Sequence, residues 1–277
     1  MARLESLSML LESGGKDFLA EEYGKVIENI EKTTISGALK NTDLSGAPTS
    51  GSVEAKRFVN AASKDYGTAR AAHKGDSVKA KPVTIKIDVD KEIIEEIEEK
   101  DVSLYGVDSV VSRRITNHGK SMTRELERAF FAEAVAAGST LETTKTDVAD
   151  IAEALIQQIE NTKNDYVDGV DRDMISVTCD TATYGALRTF LDTTSNANVK
   201  TDAENIGRFH GVRVYSSVYL PTGTRAVAMV DGAVAQPVLP SVSNPQKIQL
   251  SNAIGFGIFY SYGTKAVMPD LIVKAVI

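Results

Sequence analysis

Apolar residues follow three rhythms along the 277-residue chain, and each predicts a different kind of structure. Val83, Ile85, Ile87 and Val89 alternate strictly with Thr84, Lys86, Asp88 and Asp90. A period of two puts one set on each side of an extended chain, so 83–90 is a half-buried strand. KRFVNAA (56–62) offers it a partner, and the two predict a β-hairpin. Residues 63–81 between them are basic and too poor in apolar groups to fold on themselves. A loop of that length inside a compact chain is usually functional, and its natural use is to reach a neighbour.

Helical spacing comes next. KEIIEEIEEKDV (91–102) predicts a short acidic helix with Ile93, Ile94 and Ile97 on one side and Glu92, Glu95, Glu96, Glu98 and Glu99 around the rest. A long helix is expected over about Ser109–Ala137, striped by His118, Met122, Leu126, Ala129 or Phe130, and Ala134. At about 1.5 Å per residue it is a rod of roughly 43 Å. Gly119 weakens the rod locally, and Gly138 reads as a left-handed stop.

The third rhythm alternates helices and strands. A helix over 146–162 carries Val148, Ile151, Leu155, Ile156 and Ile159; MISVTC (174–179) is a strand, and Asp180 caps a helix running on from Thr181. Further strands are expected at 211–221, 225–231 and 247–250, giving a mixed α/β unit of roughly 100 residues. The tail 254–277 reads as two apolar strands turning at Tyr262-Gly263-Thr264 and buried against earlier strands. At the other end, Leu4, Leu7, Leu10 and Leu11, then Phe18, Leu19, Val26, Ile27 and Ile30, suit an amphipathic arm broken at Gly14 and Gly15. Residues 33–52, rich in Thr, Ser, Gly, Ala and Asn, cannot build a core and must stay mobile or dock elsewhere.

Composition removes several function classes. Hydrophobic residues make up 42% of the chain, enough for about two domains, and no apolar run reaches 18 residues, so no membrane partner is expected. Glu5 and Ser6 interrupt what would be the apolar stretch of a secretory signal. Cys179 is the single cysteine, which excludes an internal disulfide and a cysteine zinc site; at the end of a core strand it reads as a buried, inert thiol. With His73, His118 and His210 far apart and no tryptophan, material for acid–base catalysis is scarce. No catalytic, cofactor-binding or metal-ligating residue is predicted.

Individual motifs agree. GFGIFYSYGTK (255–265) fails the phosphate-loop pattern in spacing and order, and its glycines read as sites of close strand packing. Asp165, Asp168, Asp171 and Asp173 lack the order of a calcium loop and read as a solvated acidic loop. No GxSxG elbow occurs. Arg113, Arg114, Lys120, Arg124 and Arg128 are interrupted by Glu125, Glu127 and Glu133, which argues against sequence-specific nucleic-acid binding. His118 is expected to be packed rather than a ligand.

Charge adds a positive clue. The total of −7 is ordinary, but 36–81 holds eight basic against four acidic residues, whereas 82–110 holds three against nine. Blocks of opposite sign within one chain can pair internally or between copies.

The order of these elements, with IDVDKEIIEEIEEKDVSLYGVDSV (87–110) and SRRITNHGKSMTRELERAFFAEAV (112–135), resembles the major capsid proteins of tailed bacteriophages with the HK97-like fold. The resemblance implies an α+β fold with an N-terminal arm (1–44), an extended hairpin called the E-loop (45–82), a P-domain with a long spine helix (83–139), a mixed α/β A-domain (140–250) and C-terminal strands returning to the P-domain (251–277). It implies a structural subunit without enzymatic activity or cofactor. That subunit assembles in the host cytoplasm, with its own copies, into pentameric and hexameric capsomers of an icosahedral virion shell. The short segment before the hairpin implies a separate scaffolding protein, and the shell implies a portal protein and non-specific proximity to packaged double-stranded DNA. No motif selects a cross-linking lysine among Lys56, Lys64, Lys74, Lys79 and Lys81. An encapsulin-like compartment with enzyme cargo and a soluble α/β enzyme with an unrecognised site are the rival readings.

Overall fold

A computed structural model describes residues 35–72, 74–98, 107–193, 206, 208–242 and 246–276. The amphipathic arm expected before residue 35 lies outside them. In chain order, helix α1 (Ile35–Leu39) leads into strand β1 (Ser52–Phe58), the one-turn helix α2 (Thr68–Ala71), and strands β2 (Ala80–Lys86) and β3 (Val89–Ile97). Helix α3 (Val107–Ala137) is the 31-residue spine. Strand β4 (Ser139–Thr140), helix α4 (Val148–Glu160), strands β5 (Lys163–Asn164), β6 (Val167–Asp168) and β7 (Ile175–Cys179), helix α5 (Thr181–Thr193) and strands β8 (Arg208–Phe209) and β9 (Val212–Ser216) follow. The chain closes with β10 (Thr224–Val230), β11 (Val234–Ala235), β12 (Val238–Val242), β13 (Gln246–Lys247), β14 (Ile254–Tyr262), β15 (Lys265–Ala266) and β16 (Ile272–Val276).

A six-stranded sheet in the order β4-β16-β10-β7-β9-β8 forms the middle layer. Period-two geometry sends Ala226, Ala228 and Val230 to one face, where they meet Ile151, Leu155, Ile156 and Ile159 of α4. Val227 and Met229 point the other way and pack with Phe130, Phe131 and Ala134 of the spine. With both faces covered, this sheet is built from nearly continuous apolar runs. Asp147 and Asp180 start the two helices on the α4 side: their carboxylates accept from Ala149 N at 3.2 Å and Thr183 N at 2.7 Å.

The second sheet holds β14 between β3 on one side and β12 with β13 on the other. Here the sequence expectation fails. Residues 91–97 of the helix expected over 91–102 belong instead to strand β3, paired with β14 from Val89–Tyr262 to Ile97–Ile254, and 99–102 lie outside the described residues. Both periods fit Ile93 and Ile97; the distant partner β14, some 160 residues away, decides for the strand. The expected strand over 83–90 is correspondingly divided, since β2 ends at Lys86 and β3 begins at Val89. Its hairpin partner is 52–58 rather than 56–62, in a register from Ser52–Lys86 to Phe58–Ala80.

Three further expectations change. The tail strands part: β14 pairs with the earlier strand β3, as expected, and also with β12, whereas β16 enters the six-stranded sheet between β10 and β4. The strand expected at 247–250 ends at Lys247 and gives way to a turn. Gly138 is not a left-handed stop; a Cβ there would lie 2.8 Å from Ile272 Cγ2 and 3.2 Å from Ile272 O, so β16 packs too close for any side chain. Gly263 is likewise required by the Lys86 carbonyl directly over it, as read for the tail glycines.

Candidate assembly interface

Among the described residues, which leave out His73, the reactive side chains form no constellation for chemistry. Among the described residues no three His, Cys, Asp or Glu side chains gather to hold a metal ion. Cys179 is fully buried, and burial, with Asp180 adjoining, pushes its thiol up to about 12. His118 is packed as expected and also faces Glu95 at 2.9 Å. His210 meets Glu153 at 2.7 Å on a different part of the molecule. Asp168 pairs with Lys163 on the surface at 3.1 Å, and Asp171 precedes a 3-10 turn.

The surface is more informative. Hairpin β1–β2 continues past its last pair with Val59 N donating to Lys79 O at 3.0 Å, and the loop beyond it is exposed almost throughout. Tyr66 is 97% exposed and Val78 83%, among Lys64, Arg70, Lys74, Lys79 and Lys81. Two apolar groups held in water among cations are costly unless something covers them.

The root of this loop is fixed. Arg57 donates from Nη1 and Nη2 to the two carboxylate oxygens of Asp270, at 2.5 and 2.9 Å. Asn164 donates to the same carboxylate at 2.7 Å, the Arg57 guanidinium lies 4.6 Å over the Tyr166 ring, and Asn60 N donates to Asp165 O at 2.9 Å. Burial alone would raise the Asp270 pKa, but Arg57 and Asn164 outweigh it and hold it below the ordinary value. The hairpin therefore leaves the body at an angle set by the β5–β6 turn and the 269–271 turn. Sequence reading missed this latch because its members lie more than 100 residues apart.

The second surface is the outer face of the β3–β14 sheet. Register puts Glu92 beside Phe259, Ile94 beside Gly257 and Glu96 beside Gly255 on that face. Ile94 is 56% exposed and Phe259 37%, with Asp90 and the glutamates as an acidic border. The inner face carries Ile93, Ile97, Ile258, Tyr260 and Tyr262 toward the spine. Glu95 also turns inward, where Arg114 and His118 meet it; burial opposes its ionisation, yet its hydrogen bonds and charge interactions with Arg114 and His118 hold its pKa below the ordinary value. Among the described residues no strand pairs with the outer edge of β3. Its charged side chains discourage indiscriminate edge pairing.

A third contact shows what the core-poor 33–52 region does. Leu39 is buried against Phe130 and Phe131, Gly232 N donates to Leu39 O at 2.8 Å, and Asn41 N donates to Val234 O at 2.8 Å. Glu127, 3% exposed, accepts from Ser36 N at 3.3 Å. This segment docks on the spine, with the described side chains of 35–41 supplying both apolar and polar contacts.

A search of curated proteins finds no match. Among solved structures the fold is similar to that of Mycobacterium phage Che8, at 20% identity over 81% of this chain and 84% of that one, with a TM-score of 0.61. It is also similar to the capsid of cyanophage P-SCSP1u (14% identity, 88% of each chain, TM-score 0.62) and to a virus-like particle from Pyrococcus furiosus (12%, 92% and 98%, 0.59). The model of the phage capsid protein family matches residues 84–275, from β2 to β16 and thus across both sheets and the spine. An HK97-like α+β architecture with reaching surfaces and no catalytic centre among the described residues fits that match, and the chain belongs to the phage capsid protein family as a structural subunit of the virion shell.

Proposed function

We propose that this subunit forms five- and six-membered rings that close an icosahedral shell around the double-stranded DNA genome of a tailed phage. The loop 59–79 of each copy laps over the acidic outer face of a neighbour's β3–β14 sheet. The observation that carries this reading is the match in character between the two surfaces. One is basic with Tyr66 and Val78 exposed, and the other is acidic around Ile94 and Phe259. In this division of labour, residues 1–44 are the arm, 45–82 the E-loop, 83–139 the P-domain and 140–250 the A-domain, with 251–277 shared between the last two. A separate scaffolding protein, a portal protein and assembly in the host cytoplasm belong to the same reading. The acidic chain as a whole would hold packaged DNA loosely, without tight phosphate contacts.

Replacing residues 60–78 by Asn-Gly keeps β1 and β2 joined through a tight turn and removes the loop. The shortened subunit is expected to fold but to give open rings or no particles by negative-stain microscopy. Closed shells of normal size would refute the lapping role. The nucleic-acid content of particles purified from their native source separates this reading from its rival, a compartment with protein cargo.

A further inference from the structure

We propose that one exposed row of the spine, Lys120, Arg124 and Arg128, is a phosphate-contacting strip that lies against double-stranded DNA on the inside of the shell. The inference rests on the shell reading above and gives its nucleic-acid contact named residues.

In the amino-acid order these cations are interspersed with Glu125, Glu127 and Glu133, and the run reads as self-neutralised. The helix separates the two signs. Every fourth residue from Lys120 is exposed, through Arg124, Arg128, Ala132 and Ala136, so these share one side of α3. The glutamates are engaged elsewhere: Glu125 accepts from Tyr262 Oη at 3.1 Å and pairs with Lys91 at 3.2 Å, Glu127 is buried against Ser36, and Glu133 accepts from Ala266 N at 2.9 Å. Among the described residues the three cations of the row meet no carboxylate. Arg124 is braced along the helix, donating from Nε to Lys120 O at 3.2 Å and from Nη2 to Ser121 Oγ at 2.9 Å, and the Arg128 guanidinium lies 5.7 Å from the centre of the Tyr219 ring. These contacts hold the side chains in place and leave their charge unneutralised.

Apolar content decides the kind of partner. A protein interface is built around a desolvated apolar centre, which the loop 59–79 supplies with Tyr66 and Val78 beside its cations. Among its described residues the spine exposes no large apolar side chain, and its row ends in two alanines. Cations without apolar anchors suit a uniform polyanion. Four residues rise about 6 Å along a helix, so the three charges cover about 12 Å. Along that length a duplex presents a phosphate roughly every 1.7 Å of its axis, and any base sequence satisfies the row. Three contacts per copy make a loose, salt-sensitive hold, in keeping with the acidic chain around them. With the outer face of the β3–β14 sheet given to a neighbour's loop, the spine on its inner face is left to meet what the shell encloses.

Salt dependence tests the strip, with unassembled full-length subunits titrated against a short DNA duplex. Each phosphate contact contributes about −0.9 to the slope of log K against log salt, so Lys120→Gln, Arg124→Gln and Arg128→Gln together should flatten that slope by about 2.7, equally for A·T-rich and G·C-rich duplexes. Cations of the loop are present in both proteins and cancel from the difference. Thermal unfolding of the triple variant should match the parent's, because the row lies on the surface. In filled particles from the native source, formaldehyde should join DNA to peptides carrying Lys120 in preference to those carrying Lys64 or Lys79. An unchanged slope in the triple variant overturns the proposal, as does cross-linking confined to the loop peptides. Polyglutamate binding that is lost in the triple variant while DNA binding persists overturns it in favour of an acidic protein partner. Unsubstituted subunits that form no particles would refute the shell reading alone, with the slope still deciding whether the row binds DNA.

Discussion

Glu127 is buried where 35–39 docks on the spine, and burial raises its pKa above the ordinary value despite hydrogen bonds from the Ser36 hydroxyl and from the Ser36 and Ile35 backbone. The docked state therefore binds a proton more tightly than the undocked one. Docking of 35–39 strengthens as pH falls through the raised pKa and levels off near the unperturbed value of 4.5. Amide protection at 36–41, with exchange corrected for its intrinsic slowing in acid, should increase between about pH 7 and 5. Glu127→Gln keeps an acceptor and should abolish the pH dependence; a persisting slope would place the titration elsewhere. Glu153 behaves oppositely, because Arg172 first, and His210 with it, outweigh burial and hold it at about 2. Its contribution is complete above the ordinary carboxylate value and is lost as pH falls toward about 2. Arg57 calls for a different experiment. Arg57→Ala should cost about 1–3 kcal/mol and increase tryptic cleavage at Lys64, Arg70 and Lys74. Arg57→Lys should restore little, since an ammonium cannot grip both Asp270 oxygens or lie flat over Tyr166; full protection in the lysine variant would show that charge alone holds the loop.

Among the elements, the spine was the most legible. Its stripe of His118, Met122, Leu126, Phe130 and Ala134 is buried as spaced, with Phe130 rather than Ala129 completing it. Local periodicity suffices for a helix, whose core contacts recur every three or four residues. Strand β3 was illegible for the converse reason. As a strand it must expose Ile94 and turn Glu95 inward, against the hydrophobicity of both; Gly257, Arg114 and His118, all distant in sequence, make that tolerable. The end of the spine is also explained from outside, by β16 pressing on Gly138. Gly138→Ala should destabilise by about 2 kcal/mol or more. Asparagine, which suits a left-handed stop, should be no better tolerated; an Asn variant as stable as the parent would revive the stop.

For the whole molecule, each sheet joins strands that lie far apart along the chain. The alternating signs of charge are legible in the amino-acid order alone, and they map onto a basic loop and an acidic sheet face. The route of the tail is not, because one apolar run fits either sheet. Residues 254–276 supply the strand between β3 and β12 in one sheet and the strand between β4 and β10 in the other. A fragment ending at residue 250 should thus lack a cooperative thermal transition and be digested rapidly; a sharp transition in that fragment would show that 140–250 is self-sufficient. The same threading governs timing during synthesis. The β3–β14 sheet cannot close until residue 262 has cleared the ribosome, nor the six-stranded sheet until residue 276 has, so nascent chains crowded along one message have no finished subunit to offer each other. Shell building begins only from subunits whose translation has passed that point.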